Sequence, residues 1–116
     1  YGKGNFIRDY VYIDDIVNSI LLSIKKDFFS TEIFNIGSGK GTKLIDAINL
    51  IENEIFNQTK IKSKIISIPM PSNIEMIHLR NHVSDIKKSK KLLGFYPNFN
   101  FIIEIKKTIN GYLKNI

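Results

Sequence analysis

The sequence has 116 residues, 43% hydrophobic content and a mean hydropathy of −0.06, enough for one modest domain with a single core. It has no cysteine, which excludes a disulfide framework, a thiolate metal site and a cysteine nucleophile. No apolar run is long enough to span a bilayer and no signal-peptide pattern opens the chain, so a cytoplasmic protein with no membrane partner is expected.

In chain order, "YGKGNFIRDYVYIDD" opens with glycines and leads into a short β-rich run at Tyr10 to Ile13. Asp14 or Asp15 is expected to cap a helix whose apolar positions are Ile16, Val17, Ile20, Leu21 and Ile24. "DFFSTE" is a connection, and "IFNI" (residues 33–36) reads as a short strand buried on both faces. Thr42 is expected to start a second helix with Leu44, Ile45, Ile48, Ile51 and Ile55 on its apolar stripe. "KIKSKIISI" (60–68) alternates lysine and isoleucine in its first half and reads as a strand, and "PMPS" then breaks the chain. "IHLRNHV" reads as a short extended piece, whose period of two would put His78, Arg80 and His82 on one face. Asp85 caps a lysine-rich helix ending at Gly94, "YPNF" is a turn, and a last helix packs through Phe101, Ile105, Ile109 and Tyr112. The order of elements points to the α/β class.

The stretch "FNIGSGKGTKL" (34–44) has the look of a phosphate loop, because glycines let an anion approach backbone amides at a helix start. It fails both familiar templates. A Walker loop needs Ser or Thr after Gly39-Lys40, where Gly41 stands, and a first glycine where Phe34 stands. The dinucleotide fingerprint needs Gly or Ala at Thr42, and no acidic residue follows about twenty positions on, where the chain reads "IFNQTK". The loop is therefore expected to be a tight strand-to-helix turn.

The net charge is +6, which admits nucleic acid, anionic lipid or phosphorylated small molecules as partners. The lysines are dispersed in pairs at 25–26, 87–88, 90–91 and 106–107, and the aromatics fall on apolar faces, so a small basic nucleic-acid-binding or interaction module ranks as the alternative reading rather than the first. A chain so rich in Ile, Asn and Lys suggests a low-GC coding bias, under which arginine survives where its chemistry matters. Arg8 and Arg80 are the only two, and a planar guanidinium grips phosphate bidentately as lysine does not. His78 and His82 could add to an anionic face, and no metal-ligand constellation is present.

Taken together, "GKGNFIRDYVYIDDIV", "EIFNIGSGKGTKLIDAI" and "VSDIKKSKKLLGFYPNFNFIIEIKKTINGYL" resemble the C-terminal part of the nucleotide-sugar epimerases and dehydratases, the extended short-chain dehydrogenase/reductases. The ordered set covers nearly the whole chain. The resemblance implies the C-terminal portion of a Rossmann-type enzyme, a small mixed sheet with flanking helices. Residues 1–60 would pack with the NAD-binding lobe, and 61–116 would build the substrate lobe. It implies that NAD oxidises a sugar hydroxyl and that epimerisation, dehydration or decarboxylation follows through a keto intermediate. NAD would be bound by the full-length parent and not by this portion. The ligand would be a nucleotide-diphosphate sugar, with Arg8 on its diphosphate and Arg80 as a second contact. The family's catalytic Tyr-x-x-x-Lys is absent: Tyr10, Tyr12, Tyr96 and Tyr112 are followed at the fourth position by Asp14, Ile16, Asn100 and Ile116. No catalytic residue is expected here, and neither is activity of the chain alone. Opening inside a glycine-rich element, the chain looks like the back part of a longer protein, and self-association or a homodimer is expected.

Overall fold

The computed structural model describes residues 2–98 and 100–114. Strand β1 (Ile7–Asp9) pairs with β2 (Gly41–Lys43) in a two-stranded sheet, and helices α1 (Ile13–Ile24), α2 (Leu44–Thr59) and α3 (Phe101–Leu113) flank it in sequence. A 3₁₀ turn spans Met76–Leu79 and a π-type turn spans Ser89–Leu93. The expected α/β character holds, with the sheet reduced to two short strands. The chain divides into two compact units, one made of Tyr1–Arg8, Thr42–Asn81 and Asn100–Ile116, the other of Asp9–Gly41 and His82–Phe99.

In the first unit α2 packs on α3, and Ala47 is the most buried residue of α2. Thr42 lies in β2 and does not cap the helix, contrary to the sequence expectation. The first amides of α2 find carbonyls instead: Leu44 N–H donates to Phe6 O at 3.0 Å and Ile45 N–H to Gly4 O at 2.9 Å. These bonds satisfy donors that a helix start leaves open, so a side-chain cap is unnecessary. α3 does begin on a side-chain cap, Asn100 Oδ1 accepting from Ile103 N–H. Tyr112, expected to pack, is largely exposed.

In the second unit α1 packs against the Ser89–Leu93 turn, and Phe95, Leu93 and Ile86 form the buried apolar cluster. The Asp85 cap holds, its Oδ1 accepting from Lys87 N–H at 3.0 Å, and the turn stops at Gly94. The N-cap of α1 is Tyr12; Asp14 and Asp15 fall in the first turn, where they favour the helix dipole. α1 is inverted with respect to its own sequence. Its buried residues are Asp15 and Ser19, whereas Ile13, Val17, Ile20, Leu21 and Ile24 are exposed, Val17 by 48% and Ile24 by 75%. Asp15 Oδ1 accepts from Asn98 N–H at 3.1 Å.

Three expected extended segments do not form ladders. "IFNI" has no strand partner among the described residues, and Ile33 is 80% exposed; Phe34 packs on Phe28 with ring centroids 5.5 Å apart. Residues 60–68 likewise form no ladder among the described residues; Gly2 N–H donates to Ile68 O at 2.8 Å and Ser67 Oγ–H donates to Gly2 O, while Ile61 N–H turns back to Thr59 Oγ1 at 3.1 Å. A strand pattern specifies which faces are apolar, but a strand exists only when a neighbour takes its backbone groups. "IHLRNHV" is not extended throughout, because its first three residues lie in the 3₁₀ turn Met76–Leu79; His78 sits in that turn and Arg80 beyond it, so the period-two face of His78, Arg80 and His82 does not form. The last residue of "YPNF", Phe99, lies outside the described residues.

Candidate functional site

The glycine loop does hold an anion, and the anion is the chain's own. Asp9 Oδ1 accepts from Ser38 N–H at 2.9 Å and from the Ser38 hydroxyl, and Asp9 Oδ2 accepts from Gly39 N–H at 3.1 Å and Ser84 N–H at 3.0 Å. Successive amides turned to one side make the concavity that phosphate loops use, and here a carboxylate fills it. The glycines are required by that approach. A Cβ at position 37 would stand 2.6 Å from Asp9 Oδ2, and Gly39 adopts φ +69°, where side chains are strained. Partial burial pushes the Asp9 carboxyl upward, but the hydrogen bonds from Ser38, Ser84 and Gly39 outweigh this and hold it below the usual carboxylate range.

A filled anion nest does not fit a dinucleotide. Its donors are taken, and the carboxylate would repel a pyrophosphate. The loop at Gly37 to Gly41 is therefore a structural clasp, as its failed templates lead one to expect.

Arg8, the next residue back, stands in a different setting within the first unit. Its Nη1 donates to Ile7 O at 2.9 Å and Arg80 O at 2.6 Å, and its Nη2 donates to His78 O at 2.6 Å. A guanidinium has five N–H donors, so these bonds take both hydrogens of Nη1 and one of Nη2, leaving Nε–H and the second Nη2–H. The Phe6 ring lies 5.7 Å from the guanidinium carbon. Arg8 lines a cavity of about 500 Å³, walled by Phe6 on one side, Leu44 at the start of α2, and the segment carrying Met70, Pro71, Asn73, Ile74, Glu75 and His78. That volume lies in the range of small-molecule sites, and the walls are mostly apolar with a few polar groups, as such sites are.

The two arginines singled out by sequence thus meet, but through the main chain of Arg80: its carbonyl is the acceptor and its residue is exposed. His78 lines the cavity, and its carbonyl is the second acceptor. Sequence reasoning missed Phe6, Met70, Asn73 and Glu75 as cavity walls, and Asn81, whose Oδ1 accepts from Ile7 N–H at 2.9 Å. "PMP" signalled a chain break at the right place, but nothing in it signalled a wall.

No family profile matches the sequence. A putative UDP-glucose 4-epimerase of Methanocaldococcus jannaschii is 33% identical over 116 residues, covering 99% of this chain and 33% of the relative. The crystal structure of UDP-glucose 4-epimerase from Thermotoga maritima with UDP-glucose superposes with a TM-score of 0.82 at 30% identity, over 99% of this chain and 34% of that one. The chain is a homologue of the nucleotide-sugar epimerases and dehydratases. The dTDP-glucose 4,6-dehydratase of Bacillus anthracis, solved in complex with NAD, shares the fold with a TM-score of 0.73 at 20% identity, over 99% of this chain and 34% of its own. The match falls on the C-terminal part of these extended short-chain dehydrogenases, and the chain spans about a third of the length of the relatives it matches.

Proposed function

We propose that this chain provides the sugar-nucleotide-binding part of an NAD-dependent nucleotide-sugar epimerase or dehydratase, with Arg8 on the diphosphate. The observation that carries the reading is the Arg8 guanidinium, fixed by three carbonyls at the edge of a cavity of about 500 Å³ with two N–H donors left over. A diphosphate needs a permanently charged, forked partner, and a guanidinium already held in place loses little freedom on gripping one. The apolar walls suit a nucleoside. Arg80, whose carbonyl holds Arg8 and whose side chain is not among the cavity walls, is proposed as an outer, second contact for the ligand. UDP titrated into the full-length protein tests the reading: saturable binding that perturbs Phe6, Arg8 and His78 supports it, and no binding at millimolar UDP overturns it.

In this reading NAD is held elsewhere in the whole enzyme, since the glycine loop here is filled by Asp9. Isomerase, lyase and oxidoreductase chemistry are the reaction classes this reading admits. The cytoplasm remains the expected setting; among the described residues no helix is long and apolar enough to cross a membrane. Because Tyr-x-x-x-Lys is absent, the 116-residue chain incubated with NAD and UDP-, ADP- or dTDP-sugars is expected to give no change at the NADH absorbance band. Turnover by the pure chain would reveal a catalytic site of another kind.

The inverted helix supports assigning residues 1–60 to packing with the NAD-binding lobe and 61–116 to the substrate lobe. The exposed stripe Ile13, Val17, Ile20, Leu21 and Ile24 and the unpaired "IFNI" segment are surfaces awaiting a sheet. Isolated, they are expected to pair with a second copy. Light scattering across a dilution series should find dimers or larger species at high concentration; a strict monomer that unfolds cooperatively would overturn the lobe assignment.

A further inference from the structure

We propose that Asn81 is a positioning residue of the Arg8 cavity, acting through the 3₁₀ turn and not by touching ligand. The inference rests on the reading of that cavity as the nucleotide-diphosphate site.

The carbonyl and amide of one peptide unit point in opposite directions. Phe6 O accepts from Leu44 N–H at the start of α2, so the Ile7 N–H of the same peptide is directed to the other side of β1. The acceptor waiting there is the Asn81 side chain at 2.9 Å. A backbone amide is only a donor, so the Asn81 atom facing it is the amide oxygen. The adjoining residue of β1, Arg8, binds the carbonyls of His78 and Arg80, both at 2.6 Å.

Residues 78 to 81 are thus fastened to Ile7 and Arg8 at three points, just where the Met76–Leu79 turn ends and Arg80 returns to extended backbone, φ −81° and ψ 146°. Two of the fasteners belong to Arg8, which also faces the cavity. The third belongs to Asn81, which is absent from its walls. His78 and Glu75 are walls, and His78 N–H donates to Glu75 O at 3.0 Å, so moving the end of the turn moves both. Asn81 therefore sets where the wall stands, and it separates wall position from ligand contact, as no Arg8 variant can.

The experiment compares the full-length protein with its Asn81→Ala and Asn81→Asp variants, using UDP as probe alongside hydrogen exchange and chemical unfolding. Asn81→Ala is expected to weaken UDP binding about tenfold, the scale of one lost hydrogen bond that orders a site. It should speed exchange at Ile7 and across 76–80 while leaving the unfolding midpoint in place. Asn81→Asp keeps an oxygen opposite Ile7 N–H and should restore the protection at Ile7. UDP affinity of Asn81→Ala within twofold of the parent, or unaltered exchange at Ile7, overturns the proposal. Were the parent itself to bind no UDP, the assignment of the cavity would fail, and the exchange measurements alone would decide whether Asn81 holds the turn.

Discussion

An Asp9→Ala variant is expected to lose about 2–4 kcal/mol of stability in the unit that contains the glycine loop, since the carboxylate is the acceptor for three backbone amides and one hydroxyl, and a hydrogen bond to a charged group contributes a net of about 1.5–3 kcal/mol. The total stays below the simple sum because Gly39 is exposed and its amide can turn to water. Ser38 is buried, and its amide and hydroxyl bear most of the loss. Against a typical total of about 5–15 kcal/mol this is a large fraction. Urea unfolding measures it, and exchange at the Ser38, Gly39 and Ser84 amides localises it. The effect has a defined pH dependence. A carboxyl held below its ordinary value contributes stability that is present above the unfolded pKa, about 4, and is lost as pH falls through the lower folded value. The gap between parent and Asp9→Ala should therefore stand at neutral pH and shrink steadily below about pH 4. A gap that is absent at pH 7, or that widens in acid, would mean that the loop closes without the carboxylate.

How much of this was legible in the sequence depends on where each element finds its partners. The helices were legible because their apolar spacing is internal to the segment: α1, α2 and α3 lie where the periodicity puts them, to within a few residues. The strands were less so. "IFNI" and residues 60–68 carry a strand-like pattern, yet neither forms a ladder among the described residues, and Ile33 and residues 60–68 are exposed; a strand is completed by its neighbour. The inverted burial of α1 is the same fact seen on a helix: the sequence marks an apolar stripe, and among the described residues that stripe stays exposed. The glycine loop was legible as a concavity for an anion. That the anion is Asp9, 29 residues earlier, was not, because glycine spacing says nothing of what fills the loop. Arg8 could be chosen from chemistry alone. The acceptors that fix it could not, since carbonyls of His78 and Arg80 have no side-chain signature, and Asn81 gives no motif at all.

Arg8→Lys is expected to weaken nucleotide-diphosphate binding by about 1–3 kcal/mol, roughly five- to 150-fold, although the charge is kept. A lysine ammonium has three donors on one nitrogen and cannot present one edge to carbonyls and another to phosphate. In this protein the guanidinium does the first task through Nη1 and Nη2 and retains Nε–H with one Nη2–H for the second. The lysine variant must therefore give up the carbonyls of His78 and Arg80, the phosphate, or a share of each. Calorimetry with UDP on the full-length protein reads the loss, and the Arg80→Lys variant provides the scale. Arg80 offers Arg8 only its carbonyl, which the substitution preserves, so the scaffold survives and the affinity loss should be several-fold smaller. Arg8→Ala removes both tasks and should weaken binding further than Arg8→Lys, with faster exchange across residues 76–80. Unchanged UDP affinity in Arg8→Lys would show that the guanidinium serves the turn alone and that the diphosphate lies elsewhere. Equal losses in Arg8→Lys and Arg80→Lys would show that holding the carbonyls of His78 and Arg80 adds nothing to the part Arg8 plays in binding.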